Sequence, residues 1–241
     1  MRTVLGGAAV AVAVAAAVNS APAALRNDAL RSRFPRLNGD GLPGHVALTF
    51  DDGPDPESTP GFLRVLDGLG VQATFFLLGG MVERAPRLAR ELVERGHEVG
   101  VHGWSHRSLA LRGVGSTRRD LEHAVRTTRA ATGHEPVWWR PPYGVLTLTG
   151  AYQARRLGLR PVLWSSWGRD WTDDATRTTV LDNLRQGLRG GATVLLHDSS
   201  CTSATGSWRA ALAAVPELVE LCRDHDLELE VGPLREHGLM P

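Results

Sequence analysis

The sequence predicts an α/β fold, a distorted (β/α) barrel of about seven parallel strands, and three observations support this. Short runs of strand formers alternate with helical spacings along most of the chain. Each run stops at glycine, proline or a charged residue, and the residues at those stops are the reactive ones. With 241 residues and 42% hydrophobic content, the chain can bury one substantial core, so a second domain is not expected.

Taken in order, Arg2 precedes an apolar run from Leu5 to Val18. Asn19-Ser20-Ala21-Pro22-Ala23 follows, and its Ala-Pro-Ala ending has the small-residue pattern of a signal-peptidase site. We therefore expect residues 1–23 to be a signal peptide and the product to be secreted or cell-wall associated. The run is shorter than the roughly 18 residues of a membrane span, so no stable span is expected after processing; an uncleaved anchor is the rival reading. Residues 24–44 read as a mobile linker. The folded domain is expected over 45–241.

Val46-Ala47-Leu48-Thr49-Phe50 is a buried strand that stops at Asp51-Asp52-Gly53-Pro54. Thr59-Pro60 opens a helix with apolar positions at Phe62, Leu63, Leu66 and Leu69, and Gly70 ends it. Ala73 to Leu78 is the next strand, ended by Gly79-Gly80. A helix from Pro86 to Gly96 and a strand Glu98 to Val101 follow. The alternation then continues with helices expected near 117–132, 150–157, 176–188 and 208–222. Strands are expected at 137–140, 161–164, 193–196 and 227–231.

Composition excludes little else. The formal charge is +1, so no nucleic-acid partner is indicated; all 27 basic residues are arginine, from which no function is drawn. In an oxidising compartment, Cys201 and Cys222 are expected to form a disulfide, the competing reading being two buried thiols.

The chemistry gathers at the strand ends. Adjacent carboxylates repel, so Asp51 and Asp52 ask for a cation or an arginine; by themselves they read first as an Asx-type turn, and the rest of the chain overturns that reading. His102 and His106 are four apart, so one helical turn would aim both rings at one ion. Gly103 stands where the His-Glu-x-x-His proteases have glutamate, which excludes that site. Two histidines and one aspartate make a site with open positions, for which zinc is the default in hydrolysis, and non-haem iron the oxygenase version. Arg140, Asp170 and His197-Asp198 end later strands. His45, His97, His123, His134, His225 and His237 read as structural.

With these residues in place, the chain resembles the polysaccharide deacetylases, whose shared region is the NodB homology domain of carbohydrate esterase family 4. Thr49-Phe50-Asp51-Asp52-Gly53-Pro54 is similar to its first motif and His102-Gly103-Trp104-Ser105-His106 to its metal motif. Arg140-Pro141-Pro142-Tyr143, Arg169-Asp170-Trp171 and Leu195-Leu196-His197-Asp198 resemble the remaining three. The resemblance implies a NodB-like catalytic domain over 45–241 that hydrolyses an acetamide on a polysaccharide or oligosaccharide, working as a monomer. It implies one divalent metal ion, zinc by default with cobalt or another ion as alternatives, on Asp52, His102 and His106. Asp51 would be the general base, Arg140 its partner, and His197 the proton donor, with Pro142, Tyr143 and Trp171 at the substrate.

Two positions depart from that pattern. Gly103 replaces the usual Ser or Thr, and Trp167 replaces the aspartate that usually tunes the histidine; we expect Asp170 to take that role, since Asp198 should point to the opposite strand face. O-acetyl esterases of xylan, hydrolases of small amides and a non-catalytic sugar-binding relative are the rival functions.

Overall fold

The computed structural model describes residues 15–224 and 228–239. The expected leader falls mostly outside these residues, as do His225 and Leu227, the expected start of the last strand. The elements are β1 (His45–Asp51), α1 (Thr59–Leu69), β2 (Thr74–Leu77), α2 (Gly79–Arg84), α3 (Pro86–Glu94), β3 (Glu98–Val101), α4 (Val114–Thr132), β4 (Trp138–Trp139), α5 (Leu148–Arg156), β5 (Arg160–Pro161), β6 (Ser166–Trp167), α6 (Arg177–Arg185), β7 (Thr193–His197), α7 (Trp208–Arg223) and β8 (Glu230–Gly232). Every strand pairing is parallel. The strand order is β5-β4-β3-β2-β1-β7-β6. β8 adds to the first half of β1, whose second half takes β2.

β1 is central because all seven of its residues are buried, as a strand covered on both faces requires. Phe50 packs against Phe62 and Phe75, each with ring centroids 5.0 Å apart, and these rings anchor the main core. Parallel pairing places the C-terminal ends of β1, β2, β3 and β7 on one rim.

The two edge strands, β5 and β6, are consecutive in sequence, so the sheet curls into a barrel with one open seam. The expected strand 161–164 is thereby split into two shorter ones. Val162 still donates to Trp139 O at 3.0 Å, but Pro161 has no N–H to offer a strand on the open side, and residues 163–165 cross the seam. There the Leu163 amide donates to Leu37 O at 2.8 Å and the Ser165 amide to Thr193 O at 3.0 Å.

That seam also corrects the reading of 24–44 as a mobile linker. The stretch holds short helices at Asp28–Arg31 and Pro35–Asn38. The buried Arg31 guanidinium donates to Trp164 O at 2.7 Å and to Asn38 Oδ1 at 2.8 Å. A barrel seam leaves backbone groups that need partners, and this segment supplies them.

Two further expectations change. Gly79-Gly80 does more than end β2: it begins α2, and its amides hold the carbonyls of Gly103 and Trp104 at 2.9 and 3.1 Å. A Cβ on Gly79 would lie 2.4 Å from the Trp104 ring, so only glycine admits this approach. The expected disulfide is absent, both cysteines being free. Cys201 lies on the rim loop before α7, whereas Cys222 is buried near the far end of that helix. At 1.5 Å per residue, α7 separates them by roughly 20 Å, far beyond the ~7 Å Cα limit of a disulfide.

Candidate active site

β1 delivers Asp51 at its last position, and the chain then turns sharply. Asp52 has a φ of 82°, a left-handed conformation that costs a non-glycine residue on the order of 1 kcal/mol or more. The turn is held by Asp198, which accepts from the Gly53 amide at 3.1 Å and from the Thr59 hydroxyl. Burial raises the Asp198 carboxyl to about 7 despite these donors, with Asp52 adding to the rise. Asp198 therefore shapes the turn, and points away from His197.

The result is that Asp52 Oδ1 is buried without a hydrogen-bond partner, while its Oδ2 accepts from the Thr202 hydroxyl. Oδ1 lies 3.6 Å from His102 Nε2 and 3.5 Å from His106 Nε2. One donor atom from each of the three residues falls within 4.8 Å of the others. An orphaned carboxylate oxygen facing two imidazole nitrogens is costly unless a cation sits among them, so the set fits a divalent metal.

The histidines reach this point from a loop, which corrects the helical turn expected from their spacing. Gly103 at φ 92° and His106 at φ 48° fold the loop back on itself. Asp120, on the buried face of α4, holds it by accepting from the Trp104 amide at 2.9 Å and the Ser105 hydroxyl at 3.1 Å. Asp120 is in turn paired with Arg112. Sequence reasoning missed Asp120; its only signal is a buried carboxylate amid the apolar positions of an otherwise polar helix. It supplies the anchorage that Gly103 lacks a side chain to give.

Each functional side chain has an outer partner. His102 Nδ1 faces Arg140 O at 2.8 Å, which makes Nδ1 the donor and leaves Nε2 free as a ligand. Burial, then the neighbouring His106, lowers the His102 pKa to about 3, so the ring stays neutral. The fully buried Arg140 donates to Asp51 Oδ1, Thr49 Oγ1 and Leu163 O, each at 2.8 Å, with its guanidinium 4.1 Å from the Phe76 ring centroid. Asp51 is thus fixed in orientation with its second oxygen 3.7 Å from His102 Nε2.

His197 ends β7 beside Asp51, its register partner in β1. Asp170, fully buried, accepts from its ring Nδ1 at 2.9 Å and from its amide at 2.7 Å. Burial works against a charged ring here, but the charge and hydrogen bond of Asp170, with Asp52 and Asp51 behind them, raise the pKa to about 10. The carboxylate that the Trp167 position lacks is therefore supplied three residues later.

These groups line a cavity of about 610 Å³. The Pro142–Gly144 turn brings the exposed Tyr143 ring to 4.4 Å from His106, and Trp171 stands edge-on to His197 at 5.8 Å. Pro142 is buried beneath that turn, and Trp164 and Trp167 continue the aromatic wall. Trp138, by contrast, belongs to the core and donates to Glu98. The remaining described histidines lie elsewhere: His45 and His237 bond each other at 2.8 Å where β1 begins, His97 is buried behind β2, His123 stacks on Trp104 and His134 caps a loop.

A parallel α/β barrel whose C-terminal rim carries a two-histidine, one-carboxylate cluster that could hold a metal ion, with an Arg-paired aspartate and an Asp-paired histidine close by, is an arrangement suited to hydrolysis. The family model described as polysaccharide deacetylase matches residues 38–162, and the chain belongs to that family. It is 38% identical over 162 residues to peptidoglycan-N-acetylglucosamine deacetylase PgdA of Listeria monocytogenes, covering 66% of this chain and 33% of that protein. It is 38% identical over 168 residues to a chitooligosaccharide deacetylase of a Bradyrhizobium strain, covering 66% and 76%. This chain thus spans about a third of the length of the first of these relatives. Among solved structures, the Bc1960 peptidoglycan N-acetylglucosamine deacetylase superposes with a TM-score of 0.76 at 27% identity over 83% of this chain and 92% of that one. A carbohydrate esterase family 4 pseudoenzyme of Bacillus anthracis shares the fold at TM-score 0.69 and 25% identity over 80% and 65%.

Proposed function

We propose that this chain is a secreted, metal-dependent hydrolase that removes N-acetyl groups from N-acetylglucosamine in a peptidoglycan- or chitin-type glycan. One observation carries the reading: Asp51, clamped by Arg140, and His197, clamped by Asp170, line the same cavity as His102 and His106 of the Asp52, His102 and His106 cluster. A chain that had lost turnover would have no need to keep both clamps, which argues against a sugar-binding relative without activity. The two imidazoles and one carboxylate suit zinc, with cobalt as an alternative. When bound, the ion supplies Lewis acidity, lowering the pKa of a water and polarising the acetyl carbonyl.

The chain's own groups do the rest. Asp51 is oriented by Arg140 to accept the proton of the attacking water, a role that does not require it to ligate the ion. His197 is protonated at neutral pH because of Asp170, so it can deliver that proton to the leaving nitrogen. Tyr143 and Trp171 wall the site with apolar surface that excludes water and suits an acetyl methyl and a sugar face. Export rests on the small-residue ending at Ala21-Pro22-Ala23, and no helix among the described residues is long and apolar enough to cross a membrane.

The test is to load the protein with zinc and assay acetate released from N-acetylglucosamine oligomers, peptidoglycan and acetylated xylan. Release from the first two supports the reading. Release from xylan alone assigns the site to O-acetyl ester hydrolysis instead.

A further inference from the structure

The cavity has a wall that the catalytic residues do not account for. Ala23, Ala24, Asn27 and Arg31 line it together with Asp51, His102, His106 and His197. The short helix Ala21–Arg26 packs against the Pro142–Gly144 turn that carries Tyr143. This segment lies outside the region shared with the family, which begins at residue 38.

It is attached at both ends. On one side Asn19 Oδ1 accepts from the Thr149 amide at 2.9 Å and from the Thr149 hydroxyl at 2.7 Å. That amide is in the first turn of α5, where helix N–H groups have no partner within the helix. On the other side Arg31 is buried in the barrel seam, bonded to Trp164 O, with its guanidinium 5.4 Å from the Trp164 ring centroid. Between these anchors the residues facing the cavity are small.

We propose that residues 19–31 close one side of the cleft, confining the unprocessed chain to short N-acetylated sugars, and that shortening at Ala23–Ala24 opens it to polymer. The proposal rests on the deacetylase reading. A polymer bound by an interior sugar must leave the site in two directions, so a wall on one side obstructs it. A mono- or disaccharide needs only one opening, and a cavity of about 610 Å³ lies within the roughly 300–1,000 Å³ of small-ligand sites. The position that we read as a processing site lies on this wall, so cutting there removes Asn19 and its grip on Thr149. Arg31 remains, and the seam stays covered.

The experiment compares three zinc-loaded proteins: the full chain, the full chain with Asn19→Ala, and the chain beginning at Ala24. Acetate release is measured on N,N′-diacetylchitobiose and on long chitin-type polymer. The ratio of polymer to disaccharide activity should rise by about tenfold in the shortened chain and by a smaller factor in Asn19→Ala, with disaccharide turnover within about twofold throughout. A ratio unchanged in both variants overturns the proposal while leaving the deacetylase reading intact. If the shortened chain fails to fold, judged by circular dichroism, the Asn19→Ala ratio decides alone. Acetate released from neither substrate by any form sinks the deacetylase reading, and the proposal with it.

Discussion

Two imidazoles, His102 buried and His197 half-buried, stand on the same rim and are driven in opposite directions. His102 is lowered to about 3 and His197 raised to about 10, although burial alone would lower both. What differs is the neighbours: His106 lowers His102 further and only a backbone carbonyl meets its Nδ1, whereas a carboxylate meets Nδ1 of His197 and raises it. The carbonyl fixes a neutral tautomer with a free Nε2, which a metal requires. The carboxylate stabilises a held proton, which a donor requires. Neighbours at 2.8 and 2.9 Å, and not depth in the protein, divide the two roles.

The largest effects should come from the neutral side. His102→Ala and His106→Ala, each measured by elemental analysis, should lose the metal and with it all acetate release. Full occupancy in either variant would show that the ligand set is wrong. On the charged side, Asp51→Asn and His197→Ala should keep the metal and lose activity by about 10²- to 10⁴-fold, which separates proton handling from metal binding. Normal turnover in either variant would reassign that role.

A smaller effect sharpens the contrast at the loop. Asp120→Asn leaves every ligand in place but weakens the grip on the loop between the histidines, so metal affinity measured by competition with a chelator should fall by about 10- to 100-fold, as for other outer-sphere partners. An unchanged affinity would mean that Gly79, Gly80 and the backbone suffice.

The smallest is a change of shape in a pH profile. Asp170 raises the His197 pKa, so kcat/KM should show an alkaline limb where His197 loses its proton. Asp170→Asn removes the largest raising influence and leaves burial opposed only by Asp52 and Asp51, so the limb should move to lower pH. The sign for stability is the same: the raised pKa stabilises the fold fully below the unfolded-state value of about 6.5, and this contribution disappears as pH rises through about 10. Melting temperatures of the variant and the parent protein should therefore differ most below pH 6.5. A limb unmoved in Asp170→Asn would break the pairing.

Much of this site is legible in one dimension. The run from Val46 to Asp51, the stops after each strand and the two histidines four apart are local patterns. Parallel strands with helical crossovers then carry every strand end to one rim, so the convergence of Asp51, Asp52, His102, His106, Arg140 and His197 follows from topology. The preference for Asp170 over Asp198 came from strand alternation, and the structure places Asp170 against the ring and Asp198 on the turn of Gly53.

What sequence reading got wrong were partnerships between distant segments. The i, i+4 histidines suggest a helix, but the loop is set by Gly79, Gly80 and Asp120, which approach from other elements. Two cysteines suggest a bridge, but helix α7 carries one of them away from the rim. A polar stretch before β1 suggests a tether, but the seam between β5 and β6 offers it backbone groups and a place for Arg31. Most strands, the order of their reactive ends and the candidate donor set are readable in one dimension, because periodicity and turn residues act within a few positions of the chain. Which carboxylate holds the loop between the histidines and what walls the cavity are settled by tertiary packing alone, because those contacts depend on which surfaces the packed barrel leaves in need of a partner.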